Sequence, residues 1–197
     1  KFLIADSVLH LYGFNLTKLD IEHSRSFAIS TRDAKAVAEA KKLFEADNNR
    51  QPYDPGKTHL VVSPENARAT LTAFIAGARS ELAIYDGKIQ DPAMIELLKA
   101  RAAKGVRVRV IGSMKGKDPG VHECKLAGMR LHVRAIVRDG LKAFVGSQSL
   151  RTIELDRRRE AGLIINNPAV ARKIMQVFEA DWAASNKGNK AKAKKAA

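Results

Sequence analysis

A histidine and an arginine two residues apart give the strongest chemical signal in the sequence. His132 and Arg134 fall on a short predicted strand, where residues two apart project from the same face. Histidine can act as a nucleophile or as a proton donor, and a cation beside it can bind an anion. The pair therefore predicts a site that acts on phosphate groups.

Three nearby residues complete the expected chemistry. Gly146 lets the backbone come close to a ligand, and Ser147 adds a hydroxyl donor. Glu160 is placed to accept a hydrogen bond from the imidazole of His132 and so to fix its tautomer. These groups can catalyse phosphoryl transfer without a metal, so we expect no metal ion and no cofactor.

The segment that carries these residues occurs twice, because residues 1–48 reappear, diverged, at 134–182. An offset of 133 aligns Lys1 with Arg134, Asp6 with Asp139, and Gly13 with Gly146. One inserted residue then shifts the offset to 134, which aligns Asn15 with Ser149, Leu16 with Leu150, Arg25 with Arg159, and Phe-Glu-Ala-Asp at 44–47 with the same tetrapeptide at 178–181. A repeat of this length indicates two halves of domain size, the first represented only by its C-terminal part.

Strands that alternate with helices must position these residues. Apolar runs predict strands at 2–5, 60–62, 82–85, 106–111, 135–137, 143–145 and 161–165. Asp139 and Gly140 predict the turn of a hairpin. Helices are predicted to start at Ser63-Pro64-Glu65, Asp91-Pro92 and Asn167-Pro168, with another near 121–127 that ends at Gly128. The alternation is typical of a layered α/β domain.

Composition and charge limit the partners. The chain has 197 residues and a net charge of +14, which favours polyanionic partners. Residues 186–197 carry five lysines and no acid, so we expect a disordered basic tail there. A linker with prolines and polar residues ends at Gly56, which divides the chain into 1–56, 57–185 and 186–197. The lone Cys124 excludes an internal disulfide, and the cellular compartment is left open.

The spacing of these residues resembles that of the phospholipase D superfamily, whose signature is His-x-Lys, four residues, Asp and then Gly-Ser-x-Asn. His132, Asp139 and Gly146-Ser147 match this spacing, and residues 155–163 resemble the stretch that follows the motif in bacterial, cardiolipin-synthase-like members. The resemblance covers residues 1–185. It implies an α-β-α layered sandwich with a mixed β-sheet, built from two pseudo-twofold halves of which the first is incomplete.

The resemblance also implies a mechanism in which each half donates one histidine. One histidine attacks phosphorus to give a phosphohistidine, and the other protonates the leaving alcohol. By this analogy His132 is the general acid, in an order that can be reversed, and the nucleophile is a histidine two positions before Lys1. The resemblance implies catalytic roles for Arg134 and Glu160, phosphate binding for Lys1, Asn15, Ser147 and Ser149, and support of the motif for Asp6, Asp139 and Gly146.

Three positions depart from the family pattern. Arg134 replaces a lysine and binds phosphate in a different geometry, and Ser149 replaces an asparagine. Ser26 stands opposite Glu160, so the first half lacks the matching carboxylate. Since the first histidine lies outside this sequence, the site needs an upstream half or a second subunit, unless the protein is not a catalyst.

Three functions are consistent with these residues. The first is a phosphodiesterase or phosphatidyl transferase acting on anionic phospholipid, because the relatives are cardiolipin-synthase-like and the basic body suits a membrane surface. The second is a nuclease of the same superfamily acting on nucleic acid, which the net charge fits as well. The third is a degenerate member that binds phosphate-bearing ligands without turnover.

Overall fold

The computed structural model describes residues 1–57 and 59–196, with side chains described as far as Asn186. The first copy of the repeat forms these elements: β1 (Phe2–Ala5), β2 (Val8–Tyr12), α1 (Lys18–Glu22), β3 (Ser24–Arg25), β4 (Ala28–Thr31) and α2 (Ala34–Asn48). Strands β1, β2 and β4 pair in that order into a small antiparallel sheet. The first copy is thus a hairpin with one further strand and a long helix.

The remainder of the chain builds a larger sheet. Its elements are β5 (Leu60–Ser63), α3 (Ala67–Ala76), β6 (Glu81–Ile89), α4 (Pro92–Ala103), β7 (Arg107–Met114), β8 (Val121–Cys124), β9 (Arg130–Leu131), β10 (Arg134–Arg138), β11 (Lys142–Gly146), α5 (Thr152–Asp156), β12 (Glu160–Ile165) and α6 (Pro168–Ala196). Seven of the described strands form one mixed sheet in the order β5-β12-β11-β10-β6-β7-β8. The predicted α/β class with a mixed sheet is confirmed.

Local sequence explains where several elements begin. The side chain of Asp91 accepts a hydrogen bond from the Met94 N–H at 3.1 Å and caps α4, whose first residue is Pro92. The side chain of Asn167 accepts from the Ala169 N–H at 2.9 Å at the start of α6. Both predicted helix starts are therefore confirmed.

Two secondary-structure predictions are wrong. The segment predicted as a helix near 121–127 begins with strand β8, which pairs in parallel with β7 and buries Val121 and Cys124. The open edge of the sheet supplies hydrogen-bond partners that outweigh local helix propensity. Helix α3 begins at Ala67 rather than after Ser63, because Ser63 is the last residue of β5 and pairs with Glu160.

Two hydrophobic clusters hold the layers together. The first joins both copies, since β2, α2 and α6 pack on one face of the large sheet through Leu9, Leu11, Leu43, Tyr85, Val145 and Phe178. The second lies on the opposite face, beneath α3, α4 and α5, and includes Leu71, Ile84, Leu98, Ile136, Leu150 and Leu155. Helices on both faces give the α-β-α layering.

The two copies exchange ion pairs. Arg25 donates two hydrogen bonds to Asp181, at 2.7 and 2.8 Å, and Arg159 lies 3.1 Å from Asp47. At the repeat offset of 134, Arg25 corresponds to Arg159 and Asp47 corresponds to Asp181. Each copy therefore holds the arginine of the other with the same aspartate, as in a contact about a twofold axis.

The hairpin turns account for the change of offset within the repeat. Leu3 pairs with His10 in the first copy, and Ile136 pairs with Phe144 in the second, so the offset is already 134 in β2 and β11. The inserted residue therefore lies in the turn, where a change of length leaves the strand pairing intact. By this register Gly13 corresponds to Ser147, which corrects the alignment of Gly13 with Gly146.

One face of the first copy is uncovered. Leu3, Leu16 and Ile21 are 54, 67 and 61% exposed, whereas their counterparts Ile136, Leu150 and Leu155 are at most 3% exposed. The counterparts of β1 and β4, which are β10 and β12, pair further with β6 and β5. Within the described residues, the first copy has no equivalent of the strands and helices that cover the second.

The C-terminal helix covers the region of the predicted tail. Helix α6 extends to Ala196, and the side chains of 187–197 lie outside the described residues, so the disordered tail stays a prediction. Among the residues described, none of the helices is both long and apolar enough to span a bilayer.

Candidate functional site

His132 lies between β9 and β10, where its position is fixed from the first copy. Its N–H donates to the carbonyl oxygen of Arg25 at 3.2 Å. Its imidazole Nδ1 lies 3.3 Å from Oδ1 of Asp20, a buried residue of α1. Because Nδ1 faces this carboxylate, Nε2 points away from it and is the nitrogen available for chemistry.

Asp20 is held as a carboxylate by several donors. The backbone N–H of Asn15 donates to Oδ2 at 3.1 Å, and the guanidinium of Arg130 donates to Oδ1. Burial by itself would raise the pKa of Asp20, but these hydrogen bonds outweigh it and bring the pKa below its usual value. Asp20 is therefore ionised beside His132 and fixes the proton on Nδ1.

The surroundings of His132 favour its neutral form. Burial lowers the pKa of the imidazole, Asp20 opposes this, and the cations Arg134, Arg130 and Lys1 lower the pKa further. The net direction is downward. A neutral imidazole with Nδ1–H directed at Asp20 presents a lone pair on Nε2.

The carboxylate beside His132 is Asp20, not Glu160 as the sequence suggests. Glu160 begins β12 and lines a cavity of about 300 Å³ together with Lys1, Phe2, Ser147 and Arg159. The structure thus brings Lys1, Ser147 and Glu160 together, but it gives the imidazole a partner from the other copy. A catalytic role for Glu160 stays a prediction.

Asp20 has a counterpart that the sequence could have revealed. Five residues after Asn15 and Ser149, at the repeat offset of 134, stand Asp20 and Glu154. The Ser149 N–H donates to Oε2 of Glu154 at 2.7 Å, just as the Asn15 N–H donates to Asp20. An acid at the same place in both copies was the available signal for this carboxylate.

The hydroxyl of Ser149 is hydrogen-bonded to a buried acid, Asp86. Ser149 is 2% exposed, and its hydroxyl donates to Oδ1 of Asp86, whose Oδ2 accepts the Leu150 N–H at 2.7 Å. Burial raises the pKa of Asp86. Phosphate binding by Ser149 stays a prediction, and it requires the hydroxyl to leave Asp86.

Arg134 and Asn15 lie beside these carboxylates. Arg134 is half-buried at the start of β10, and its buried Nε has no hydrogen-bond partner among the described residues. Asn15 is half-buried and lies two residues after Gly13. The backbone of Gly13 is close to the second copy, since a Cβ on Gly13 would lie 2.8 Å from the carbonyl oxygen of Gly146. Arg134 is thus the cation with an unfilled donor at this site.

The motif aspartates lie at the far ends of the hairpins. The carboxylate of Asp139 accepts hydrogen bonds from the backbone N–H groups of Arg79, Ser80 and Glu81 at 3.0, 2.8 and 3.0 Å. These bonds tie the β10–β11 turn to the loop before β6. Asp6 is exposed in the corresponding turn of the first copy.

Similar proteins place this arrangement in context. Residues 71–182 match the family described as "Cardiolipin synthase, PLD-like domain". The polyphosphate kinase of Vibrio vulnificus (strain YJ016) is 24% identical over 173 residues, which cover 77% of this chain and 24% of the kinase. The chain therefore spans about a quarter of the length of this curated relative.

Solved structures share the fold. Polyphosphate kinase from Porphyromonas gingivalis gives a TM-score of 0.74 at 19% identity, over 87% of this chain and 29% of that chain. Phosphatidylserine synthase from Haemophilus influenzae Rd KW20 gives a TM-score of 0.66 at 10% identity, over 91% of this chain and 60% of that chain. At these identities the likeness concerns the fold alone.

Proposed function

Because the chain belongs to the phospholipase D superfamily, as a member of the cardiolipin synthase, PLD-like domain family, we propose that it carries one half of a two-histidine phosphodiesterase or phosphatidyl transferase site. The observation that carries the proposal is the pairing of His132 Nδ1 with the buried carboxylate of Asp20 at 3.3 Å. This contact joins the two copies and leaves Nε2 free. Arg134 and Lys1 supply positive charge beside it.

The proposed reaction proceeds in two displacements. Nε2 of one histidine forms a bond to phosphorus while the bond from phosphorus to the leaving oxygen breaks, and the other histidine gives its proton to that oxygen. Water or an acceptor alcohol then loses a proton to the second histidine and attacks the phosphohistidine, which breaks the nitrogen–phosphorus bond. Both histidines end in their starting states.

The pseudo-twofold relation suggests where the second histidine would lie. Asp20 binds the Asn15 N–H and His132, whereas Glu154, its counterpart, binds the Ser149 N–H and lies 3.2 Å from Arg151. We place the second histidine, from an upstream half or a second subunit, beside Glu154. The division into 1–56, 57–185 and 186–197 belongs to the same proposal.

The order of the two histidines is open to a direct test. The family analogy assigns His132 as the general acid, whereas the lowered pKa of His132 suits a nucleophile. A reaction quenched during turnover and analysed by mass spectrometry distinguishes the two. Phosphate or phosphatidate attached to His132 would identify His132 as the nucleophile. The same modification on the other histidine would identify His132 as the general acid.

Phospholipid is the proposed substrate. The matching family is named for cardiolipin synthase, and the phosphatidylserine synthase fold covers 91% of the chain. The net charge of +14 suits an anionic membrane surface. The same charge supports a nuclease as the second candidate. Because the chain is similar in sequence to a polyphosphate kinase, polyphosphate is a third substrate to test.

The test compares substrates and histidines in the longest natural form of the protein. Phosphatidylglycerol, plasmid DNA and inorganic polyphosphate are each incubated with the parent protein, His132→Ala and the control His122→Ala, which alters an exposed histidine of β8. We expect product from phosphatidylglycerol, lost by at least about a hundredfold in His132→Ala and retained in His122→Ala. Binding without release from any substrate would leave the degenerate member as the answer.

Metal dependence provides a second check. The proposed displacements need no metal ion, so turnover should be unchanged by a chelator. Complete inhibition by chelator, restored by adding a divalent cation, would contradict the two-histidine mechanism.

A further inference from the structure

Two apolar side chains are exposed at corresponding positions of the repeat. Leu19 in α1 is 52% exposed and Ile153 in α5 is 42% exposed. They correspond at the offset of 134. The neighbouring Leu16 and Ile21 are also exposed, but their counterparts are buried under α3 and α4. Among the described residues, Leu19 and Ile153 are thus the corresponding pair of large apolar side chains exposed in both copies.

Both residues lie at the candidate site. Leu19 directly precedes Asp20, which contacts His132, and Ile153 directly precedes Glu154, which accepts the Ser149 N–H. In each short helix the acid is buried toward the site while the apolar side chain before it is in solvent. The two side chains are therefore equivalent under the pseudo-twofold relation, and each lies beside the acid of its own copy.

Exposed cations lie at the same end of the molecule. Strands β6 and β7 run in parallel as far as Ile89 and Met114. Their C-terminal ends lie toward the start of β10, just after His132, because Ala135 pairs with Tyr85. The exposed lysines at or just after the C-terminal ends of these strands and of β8 are Lys88, Lys115, Lys117 and Lys125. Arg157 and Arg158 are exposed after α5, and Lys18 is exposed beside Leu19.

Nearby acids do not cancel this charge. Glu123 accepts the Met114 N–H at 2.7 Å, and Asp118 accepts the Gly120 N–H at 2.9 Å. Both carboxylates keep their charge, but they are fewer than the four lysines around them. Asp156 pairs with Arg68 at 2.7 Å. The end of the molecule that holds the site therefore combines two apolar side chains with a surplus of exposed cations.

We propose that this end binds the surface of an anionic bilayer, with Leu19 and Ile153 inserted among the lipids and the surrounding lysines and arginines on the headgroups. Aliphatic insertion with basic contacts is the pattern of interfacial membrane binding. Nucleic acid would gain little from leucine and isoleucine, because bases stack on aromatic rings. The proposal rests on the proposed function in that it presents the site to phospholipid.

The experiment measures binding rather than turnover. Protein is sedimented with phosphatidylcholine vesicles that either contain or lack phosphatidylglycerol, using the parent protein, Leu19→Gln, Ile153→Gln and the double variant. Each substitution should weaken partitioning to the anionic vesicles by about tenfold, and added salt should weaken it further. Leu141→Gln is the matched control, because Leu141 is 53% exposed in the β10–β11 turn at the opposite end of the sheet.

Three results would contradict the proposal that this end of the molecule binds a membrane. One is a double variant that sediments like the parent protein, and another is an equal loss in Leu141→Gln. The third is binding to single-stranded DNA that exceeds vesicle binding and is unaffected by the two substitutions, which would assign this end to nucleic acid. Circular dichroism of each variant checks that it is folded.

The outcome is separable from that of the proposed function. His132→Ala should sediment with anionic vesicles like the parent protein while it loses turnover. If the parent protein binds vesicles through Leu19 and Ile153 but has no turnover, the membrane surface stands and the catalytic proposal fails. If turnover depends on His132 but vesicle binding is unchanged by substitution of both apolar residues, the catalytic proposal stands and the membrane surface fails.

Discussion

The two copies of the repeat keep the same strands but differ in what surrounds them. Leu16 and Ile21 face solvent in the first copy, whereas Leu150 and Leu155 are buried beneath α3 and α4 in the second. The side chains are of the same kind, so the difference does not come from residue type. It teaches that the exposed apolar face of the first copy reflects missing neighbours, while Leu19 and Ile153, exposed in both, are exposed for another reason.

The site carboxylates differ in the same way. Asp20 and Glu154 each accept the backbone N–H five residues before them, but Asp20 also reaches His132. The first copy therefore serves the histidine of the second.

The largest effect is expected at Asp20. Asp20→Asn removes the charge that orients His132 and opposes the lowering of its pKa, so turnover should fall by about a hundredfold to ten-thousandfold. The His132 pKa, followed by NMR, should fall further. Glu154→Gln leaves His132 unchanged and should not move that pKa. An unchanged pKa in Asp20→Asn would contradict the assigned pairing.

A second comparison concerns the cores. Leu155→Ala should lower the free energy of unfolding by about 2–5 kcal/mol, because it empties space within a buried cluster. The corresponding Ile21→Ala should change it by less than about 0.5 kcal/mol. Urea unfolding of the two variants measures both. Similar losses at the two positions would mean that the first copy is covered in solution.

A third comparison concerns the ion pairs that the two copies exchange. Asp181 also accepts a hydrogen bond from the Tyr85 hydroxyl at 2.6 Å. Asp181→Ala therefore leaves the buried Tyr85 hydroxyl and the half-buried Arg25 guanidinium without this partner, and should cost about 1–3 kcal/mol. Asp47 is 40% exposed, and Asp47→Ala should cost at most about 1 kcal/mol. The ranking by chemical denaturation is the readout, and a larger loss in Asp47→Ala would reverse it.

The smallest effect concerns pH. The pKa of His132 lies below its ordinary value of 6.5, so the unfolded chain takes up a proton that the folded chain resists. This contribution to stability is present above about pH 6.5 and is lost as the pH falls through that range. His132→Gln should flatten the loss. The stabilising contribution of Asp20, whose pKa is lowered, is fully present above its usual value of 3.8 and is lost only as the pH falls below that value. Unfolding at several pH values, with His122→Gln as control, checks the slope.

Sequence spacing was informative where the residues are local. His132 and Arg134 belong to one motif, and their spacing places them close together, whereas their catalytic roles stay predictions. Asp20 was missed because its partner lies more than a hundred residues away. The available signal was the acid at the matching position of the other copy, Glu154, and not any pattern within the short helix itself. Asp86 was missed for a related reason, since it reaches Ser149 from a neighbouring strand.

The fold was predictable to a similar extent. Seven of the described strands followed from apolar runs, and the starts of α4 and α6 followed from capping residues such as Asp91. Strand β8 did not, because residues 121–124 become a strand by pairing with β7, and that neighbour is set by the tertiary arrangement. The place of the inserted residue also needed the strand register.

The exchanged arginine and aspartate contacts have a consequence for the history of the chain. In a single-copy protein that paired with itself, one substitution would alter both contacts at once. After the copies were joined in one chain, each contact became free to change alone. Arg25 and Asp181 now lie largely inside the molecule with Tyr85, while Arg159 and Asp47 remain near solvent, and Arg159 also pairs with Glu65. The same arginine–aspartate contact thus occurs twice, and a substitution that removes one leaves the other in place.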